Sequence, residues 1–335
     1  MKKGVTLKDL ARELRLSVSA VSKALRNDPE ISPATSQRVT ELAQTWNYVP
    51  NEAARRLKQS RTFTIGVIIP DLFDQFYALA LPGIEESAVQ HRYNVLITQT
   101  HEDLNKEQQL IETMLRNRVD GIIIASTSHT YKTDFVRRLN AFGIPVVFLM
   151  RNARDRSHYS VTNDSFTGSR QAVAYLIAQG HRRVAHLRGP YSLATSQIRH
   201  DGYQQALHDH QIPYDPYLVQ TSDLTTESTF DCMQALMRLP DPPTAMLTFK
   251  SYVTLDAIEF LKTHYPERVN TISFVGFGTL PLLKYINYRP LASVEADPFT
   301  VGAEAFRLLL HQLTHNTDLD LTDRNVRVPC LLTVY

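Results

Sequence analysis

The sequence predicts an N-terminal all-α helix-turn-helix head with a hinge helix, followed by an α/β body of two parallel-sheet lobes. Three observations carry that prediction. Residues 1–61 place apolar side chains at helical spacing behind good capping residues. From Thr62 onward, short continuous apolar runs alternate with helical stretches. Near residue 163 the alternation starts again, which gives two lobes in tandem. A chain of 335 residues has room for two or three domains with ample core.

The head is justified element by element. Thr6 caps a helix whose apolar positions Leu7, Leu10, Ala11 and Leu14 fall on one face. Ser17 caps a second, with Val21, Ala24 and Leu25 at helical spacing. The gap Leu14-Arg15-Leu16 is short enough for a tight helix-turn-helix. Ser32-Pro33 opens a third helix, since proline suits the first helical position, and Val39, Leu42, Ala43 and Trp46 form its apolar side. Asn47-Tyr48-Val49-Pro50 stops it. Asn51–Lys58 is a short capped helical stretch, below the ~12–15 residues at which an isolated helix becomes marginally stable.

Charge is uneven. The whole chain carries a formal net charge of +2, but residues 1–61 hold 12 Lys+Arg against 6 Asp+Glu. A basic head on a mildly acidic body implies a polyanionic partner for the head. The second helix leaves Val18, Ser19, Ala20, Ser22 and Lys23 on its open side. Small and polar side chains with one cation suit a helix whose first turn enters the major groove of a duplex.

The body follows the βα rhythm. Thr64–Pro70, Tyr93–Thr98, Gly121–Ala125 and Pro145–Leu149 read as buried strands. Helices at Tyr77–Gln90, Asn105–Asn117 and Asp134–Phe142 separate them. The second round runs through helix Gly168–Gln179, strand Arg183–Leu187, helix Ile198–His210 and strand Tyr217–Val219. Further units follow at Thr226–Arg238, Ala245–Thr248, Val253–His264 and Thr271–Phe277. Open α/β sheets bind ligands at the carboxyl ends of their strands, so those ends are expected to line a cleft between lobes.

Residues 1–61 resemble the DNA-binding module of the LacI/GalR (lactose-repressor) family. The resemblance rests on Val5-Thr6-Leu7-Lys8-Asp9-Leu10-Ala11, Leu16–Leu25 and Asn47-Tyr48-Val49-Pro50-Asn51. It implies base-edge contacts from Val18, Ser19 and Ser22, a base or phosphate contact from Lys23, and phosphate contact at Thr6. It also implies that Asn51–Lys58 forms a hinge helix on DNA, with Leu57 as a minor-groove wedge and Ala54 beside it. Arg15 departs from the Gly or Asn usual in the turn, and a left-handed backbone there costs a non-glycine residue roughly 1–2 kcal/mol.

Residues 62–335 resemble the periplasmic-binding-protein-like effector domain of the same family, through Ile65–Pro70, Asn117–Ile123 and Gly189-Pro190 with Gln197–Tyr203. The implied division is 1–49 head, 50–61 hinge, and 62–335 effector and dimerisation domain. Lobe 1 takes about 62–162 and 292–322, lobe 2 about 163–291 and 323–335, with three crossings. Implied effector contacts are Phe76 and Tyr77 for stacking, Asp164 at the cleft rim, and Arg199 as a forked donor to ligand oxygens. Met150, Lys250-Ser251 and Gly278-Thr279 stand where the family often has Asp or Asn-Asp. Lys250 with Arg199 is therefore expected to make a cationic pocket for an anionic carbohydrate.

The reading is a sequence-specific DNA-binding regulator, a repressor, acting as a homodimer or larger homo-oligomer on a pseudo-palindromic duplex. A small carbohydrate-type effector would tune it. Enzyme motifs are absent, with no phosphate-cradling Gly-rich loop, H-E-x-x-H or G-x-S-x-G. His181, His186 and His200 are expected to be surface or satisfied polar groups, and neither a metal nor a cofactor is expected. Two alternatives remain: an enzyme acting on a sugar phosphate with a DNA-binding head, and a ligand-independent DNA binder. Two cysteines, Cys232 and Cys330, and a polar N-terminus fit a cytoplasmic, nucleoid-associated protein.

Overall fold

The computed structural model describes residues 5–48, 61–127, 134–151, 158–315 and 319–335. The chain divides into two units, Met1–Thr62 and Phe63–Tyr335. The hinge segment with Asn51, Ala54 and Leu57 lies outside the described residues.

The head holds α1 (Leu7–Leu14), α2 (Val18–Ala24) and α3 (Pro33–Thr45). Leu10, Ala11, Val21, Ala24, Val39 and Ala43 are its buried centre, with Trp46 and Tyr48 packed against them. Each helix starts as its sequence dictates. Thr6 and Asp9 close a capping box, Ser17 accepts from the amide of Ala20, and Ser32 accepts from Thr35. The turn after α1 is left-handed at Arg15 (φ 52°, ψ 42°), with the amide of Leu16 returning 2.9 Å to the Ala11 carbonyl. The strained turn expected from the missing glycine is thus present.

The body contains two six-stranded sheets. The first has strands β1 (Thr64–Ile69), β2 (Asn94–Gln99), β3 (Gly121–Ile124), β4 (Val146–Leu149), β5 (Tyr159–Asn163) and β11 (Asn325–Val328), in the order β11-β5-β4-β3-β1-β2. The second has β6 (Val184–Arg188), β7 (Val219–Thr221), β8 (Ala245–Thr248), β9 (Ser273–Phe277), β10 (Ala292–Ala296) and β12 (Cys330–Val334), in the order β12-β10-β9-β8-β6-β7. All pairings are parallel except β10 with β12. Strands β1, β3, β4, β6 and β8 are buried almost throughout, because helices cover both faces.

Two corrections to the lobe boundaries follow. Residues 292–296, expected in lobe 1, form β10 and pair with β9 of lobe 2. Residues 325–328, expected in lobe 2, form β11 and pair with β5 of lobe 1. The expected three crossings remain, but the chain changes sheet after Asn163, after Ala296 and after Val328. Tyr217 and Leu218 are not strand: Pro216–Leu218 is a 3₁₀ turn begun by proline, and β7 starts at Val219.

The longer body helices are α4 (Gln75–Gln90), α5 (Leu104–Arg116), α6 (Asp134–Ala141), α7 (Ser165–Ala178), α8 (Ala194–Asp209), α9 (Thr226–Met237), α10 (Ser251–His264) and α11 (Pro298–Thr314), of which α4, α8, α9 and α10 contribute residues to the cleft. Helices α4 and α11 touch backbone to backbone through reciprocal glycines. A Cβ on Gly302 would sit 2.0 Å from the Ala80 carbonyl oxygen, and one on Gly83 would sit 2.1 Å from that of Phe299.

Candidate DNA-contact face and ligand cleft

On α2, Val18 and Ser19 are exposed, while Ala20, Ser22 and Lys23 are half-buried. The first turn of this helix is therefore open, behind a rigid three-helix core. Two side chains are already engaged. The Thr6 hydroxyl donates 2.6 Å to Asp9. The ammonium of Lys23 is bonded to Glu30, which raises the Lys23 pKa. Lys23 must leave Glu30, or share with it, to reach a phosphate.

The body cleft has a volume of about 830 Å³ and is lined by the carboxyl ends of strands from both sheets. Arg199 lies at its base. Gly202 lets α8 approach α7, since a Cβ there would meet the Phe166 carbonyl oxygen at 2.4 Å. That approach brings Arg199 Nε 3.3 Å from Ser165 Oγ, while Nη1 donates to the Phe249 carbonyl. The guanidinium lies 3.7 Å from the centroid of Phe277 and 4.6 Å from that of Phe249. Burial pulls Arg199 down to about 9, with the nearby Cys330 and Asp74 opposing that shift.

Phe76 and Lys250 also line the cleft. Lys250 precedes α10, and its ammonium lies 5.9 Å from the centroid of Tyr252. Tyr77 lines the cleft, yet its ring belongs to the core of lobe 1, and burial pushes its hydroxyl up to about 12. It forms the wall more than a stacking platform. Asp164 is a correction. It is not among the lining residues, because its side chain caps α7 through the amide of Thr167. Its neighbour Asn163 reaches the cleft instead.

The expected cationic pocket is also corrected. Six carboxylates line the cleft, Asp71, Asp74, Glu102, Asp223, Asp256 and Glu295, against three permanent cations, Arg151, Arg199 and Lys250. Some carboxylates are engaged: Arg151 Nη1 donates 2.5 Å to Glu102, and Asp223 accepts from both the amide and the hydroxyl of Thr225. Burial raises Asp256 and Glu295, and neither is ion-paired among the described residues. Glu295 does accept from the Thr279 amide at 3.1 Å, beside Gly278, whose φ of 93° is one that glycine tolerates. Three non-glycine residues of the lobe-1 wall, His101, Glu102 and Met150, have φ between 52° and 60°. Strain of this kind concentrates at functional sites.

His186 and His200 depart from expectation as well. Their rings stack with Tyr203 in lobe 2, and His186 Nε2 and His200 Nδ1 are buried without a hydrogen-bond partner among the described residues. Burial lowers both, His186 to about 3. Among the described residues no group of three or more His, Cys, Asp or Glu side chains could hold a metal ion. No helix there is long and apolar enough to cross a membrane.

A family model described as bacterial regulatory proteins, lacI family, matches residues 6–51. A second, described as periplasmic binding proteins and sugar binding domain of LacI family, matches residues 62–333. The chain belongs to the lacI family. This lacI-family chain is a DNA-binding transcriptional regulator. It is 31% identical to the HTH-type transcriptional repressor CytR of Escherichia coli K12 over 308 residues, 92% of this chain and 89% of that one. It is also 31% identical to catabolite control protein A of Priestia megaterium, over 93% of this chain and 94% of that one. Among solved structures, the lac repressor dimer bound to operator and the anti-inducer ONPF superposes with a TM-score of 0.83. The match has 24% identity and covers 99% of this lacI-family chain and 98% of that one. The transcriptional regulator CelR–cellobiose complex gives a TM-score of 0.71 at 24% identity, covering 98% of each chain. The last two likenesses are of fold.

Proposed function

We propose that this regulator is a repressor whose hold on DNA is set by a small hydroxyl-rich effector between its two lobes, with no catalytic step. The observation that carries the reading is the open first turn of α2, with Val18 and Ser19 exposed on a capped head, joined in one chain to a two-lobed body with a cleft. One head offers too little surface for high specificity, so two copies would read a pseudo-palindrome. Apolar side chains exposed on the body support pairing of copies: Leu79 and Val89 on α4, and Leu282, Tyr285, Ile286 and Tyr288 in lobe 2. The protein would work in the cytoplasm, on operators in the nucleoid.

Carboxylates and an arginine that keeps Nη2 without a partner among the described residues suit a polyol, whose hydroxyls both donate and accept. The effector changes DNA affinity only if it prefers one lobe arrangement over the other. Selection from a random duplex library, followed by fluorescence anisotropy on the selected site, tests the reading. The expected result is one pseudo-palindromic site, bound more weakly as salt rises and responsive to a sugar-class compound. Equal binding to random competitor duplex, with and without such compounds, would overturn it, as would turnover of a bound sugar.

A further inference from the structure

We propose that Glu102 is a specificity-determining residue of the cleft. It engages the Arg151 guanidinium at the switch point of the lobe-1 sheet, so the wall there takes uncharged hydroxyl groups and turns oxyanions away. The inference rests on the reading of the cleft as the effector site. Glu102 follows β2 and Arg151 follows β4, and the sheet order β4-β3-β1-β2 puts two strands between them. At the usual strand spacing those two strand ends stand roughly 14 Å apart. The chain goes to one side of β1 for β2 and to the other for β3 and β4, and an open α/β sheet takes its ligand at such a reversal. Arg151 and Glu102 bridge it. Arg151 Nη1 donates 2.5 Å to Glu102 Oε1 and 3.4 Å to the carbonyl of Ser126, just beyond β3. Both partners line the cavity. Of the six carboxylates there, Glu102 is the one within ion-pair distance of an arginine or lysine among the described residues. It is also the one whose own backbone is left-handed, at φ 60°, and Met150, immediately before Arg151, has φ 60° as well. Such angles persist in non-glycine residues only where the surroundings hold them. The start of α5 does not need this carboxylate, because Asp103 caps that helix. An oxyanion arriving here would find a cation already neutralised and a second negative charge beside it. A hydroxyl can accept from Arg151 and donate to Glu102 at once.

Sulfate is the probe. The full-length wild type, Glu102→Gln, Glu102→Gly, Glu295→Gln and the double variant Glu102→Gln/Arg151→Met are titrated with sodium sulfate against sodium chloride at matched ionic strength, by calorimetry. Glutamine keeps the shape of the side chain and drops its charge. Glycine takes the left-handed backbone without a Cβ, so the measurement does not depend on one variant folding. Glu295→Gln is the control, because it removes an equal charge from the same cavity at a residue with no ion pair among the described residues. The expected result is saturable sulfate binding by the folded Glu102 variants, at least about tenfold tighter than by wild type or Glu295→Gln, and lost in the double variant. Folded Glu102 variants that bind no tighter than wild type, an equal gain in Glu295→Gln, or a gain that survives the loss of Arg151 would overturn the proposal. The titration contains neither DNA nor sugar, so its outcome stands apart from the operator measurement that tests the regulatory reading.

Discussion

The guanidinium of Arg199 rests 3.7 Å from the ring centroid of Phe277, and among the described residues it has no carboxylate partner. A buried cation held by a ring face and a carbonyl is kept at a cost in stability, and a binding role accounts for that cost. Arg199→Met replaces the charge with an apolar chain of related length. The expected result is a gain of about 1–2 kcal/mol in urea unfolding. The same variant should lose the effector response of operator binding. A destabilised Arg199→Met would show that the guanidinium holds the lobe together.

Arg15 adopts φ 52° at the end of α1. Arg15→Gly should stabilise the head by about 0.5–1 kcal/mol, because glycine takes left-handed angles without a Cβ clash. Trp46, the only tryptophan, packs on the head core, so its fluorescence reports the head transition directly.

Lys23 is bonded to Glu30 in the described head. Lys23→Ala should weaken binding to all duplexes about equally and lower the salt slope by roughly one. Glu30→Gln should strengthen binding, since the lysine no longer has to leave a carboxylate. Anisotropy at several salt concentrations reads both.

Gly302 and Gly83 let two helix backbones touch. Gly302→Ala should destabilise the body by about 1–3 kcal/mol or more, because the obstructing atom is a carbonyl oxygen and not a flexible side chain. Circular dichroism during thermal unfolding would record it.

His186 titrates near 6.5 when unfolded and about 3 when folded. Its folded pKa is depressed, so the unfolded state takes up the proton first on acidification. The contribution is fully present above about pH 6.5 and falls by roughly 1.4 kcal/mol per pH unit as pH drops toward 3. His186→Phe should flatten the stability profile by about one proton over that range, as read by urea melts at a series of pH values.

Much of this architecture was legible in the residues. Capping residues and helical spacing located α1, α2 and α3 to within a residue, because local chemistry decides short helices. Buried strands such as β1 and β8 stood out as unbroken apolar runs. Strands β5, β10, β11 and β12 did not, since Tyr159–Asn163 and Asn325–Val328 are short and mix polar with apolar side chains. Their lobe membership depends on pairing between residues some 165 apart, as between Ser160 and Asn325. Arg199 does line the cleft, on the helix that carries Gly202 and Tyr203. The cleft was read poorly at Asp74, Glu102, Glu295 and Arg151, which are gathered from different loops and strand ends. Asp164 misled because a carboxylate next to a helix start serves the helix as readily as a ligand.

Among the described residues the chain passes from one sheet to the other at Asp164, Asp297 and Pro329 with their immediate flanks, and the Asp164 amide is bonded to the Val328 carbonyl at 3.0 Å. Three such brief tethers leave no slack for one half to slide past the other. Any change in the angle between the two sheets would have to be taken up within these three stretches.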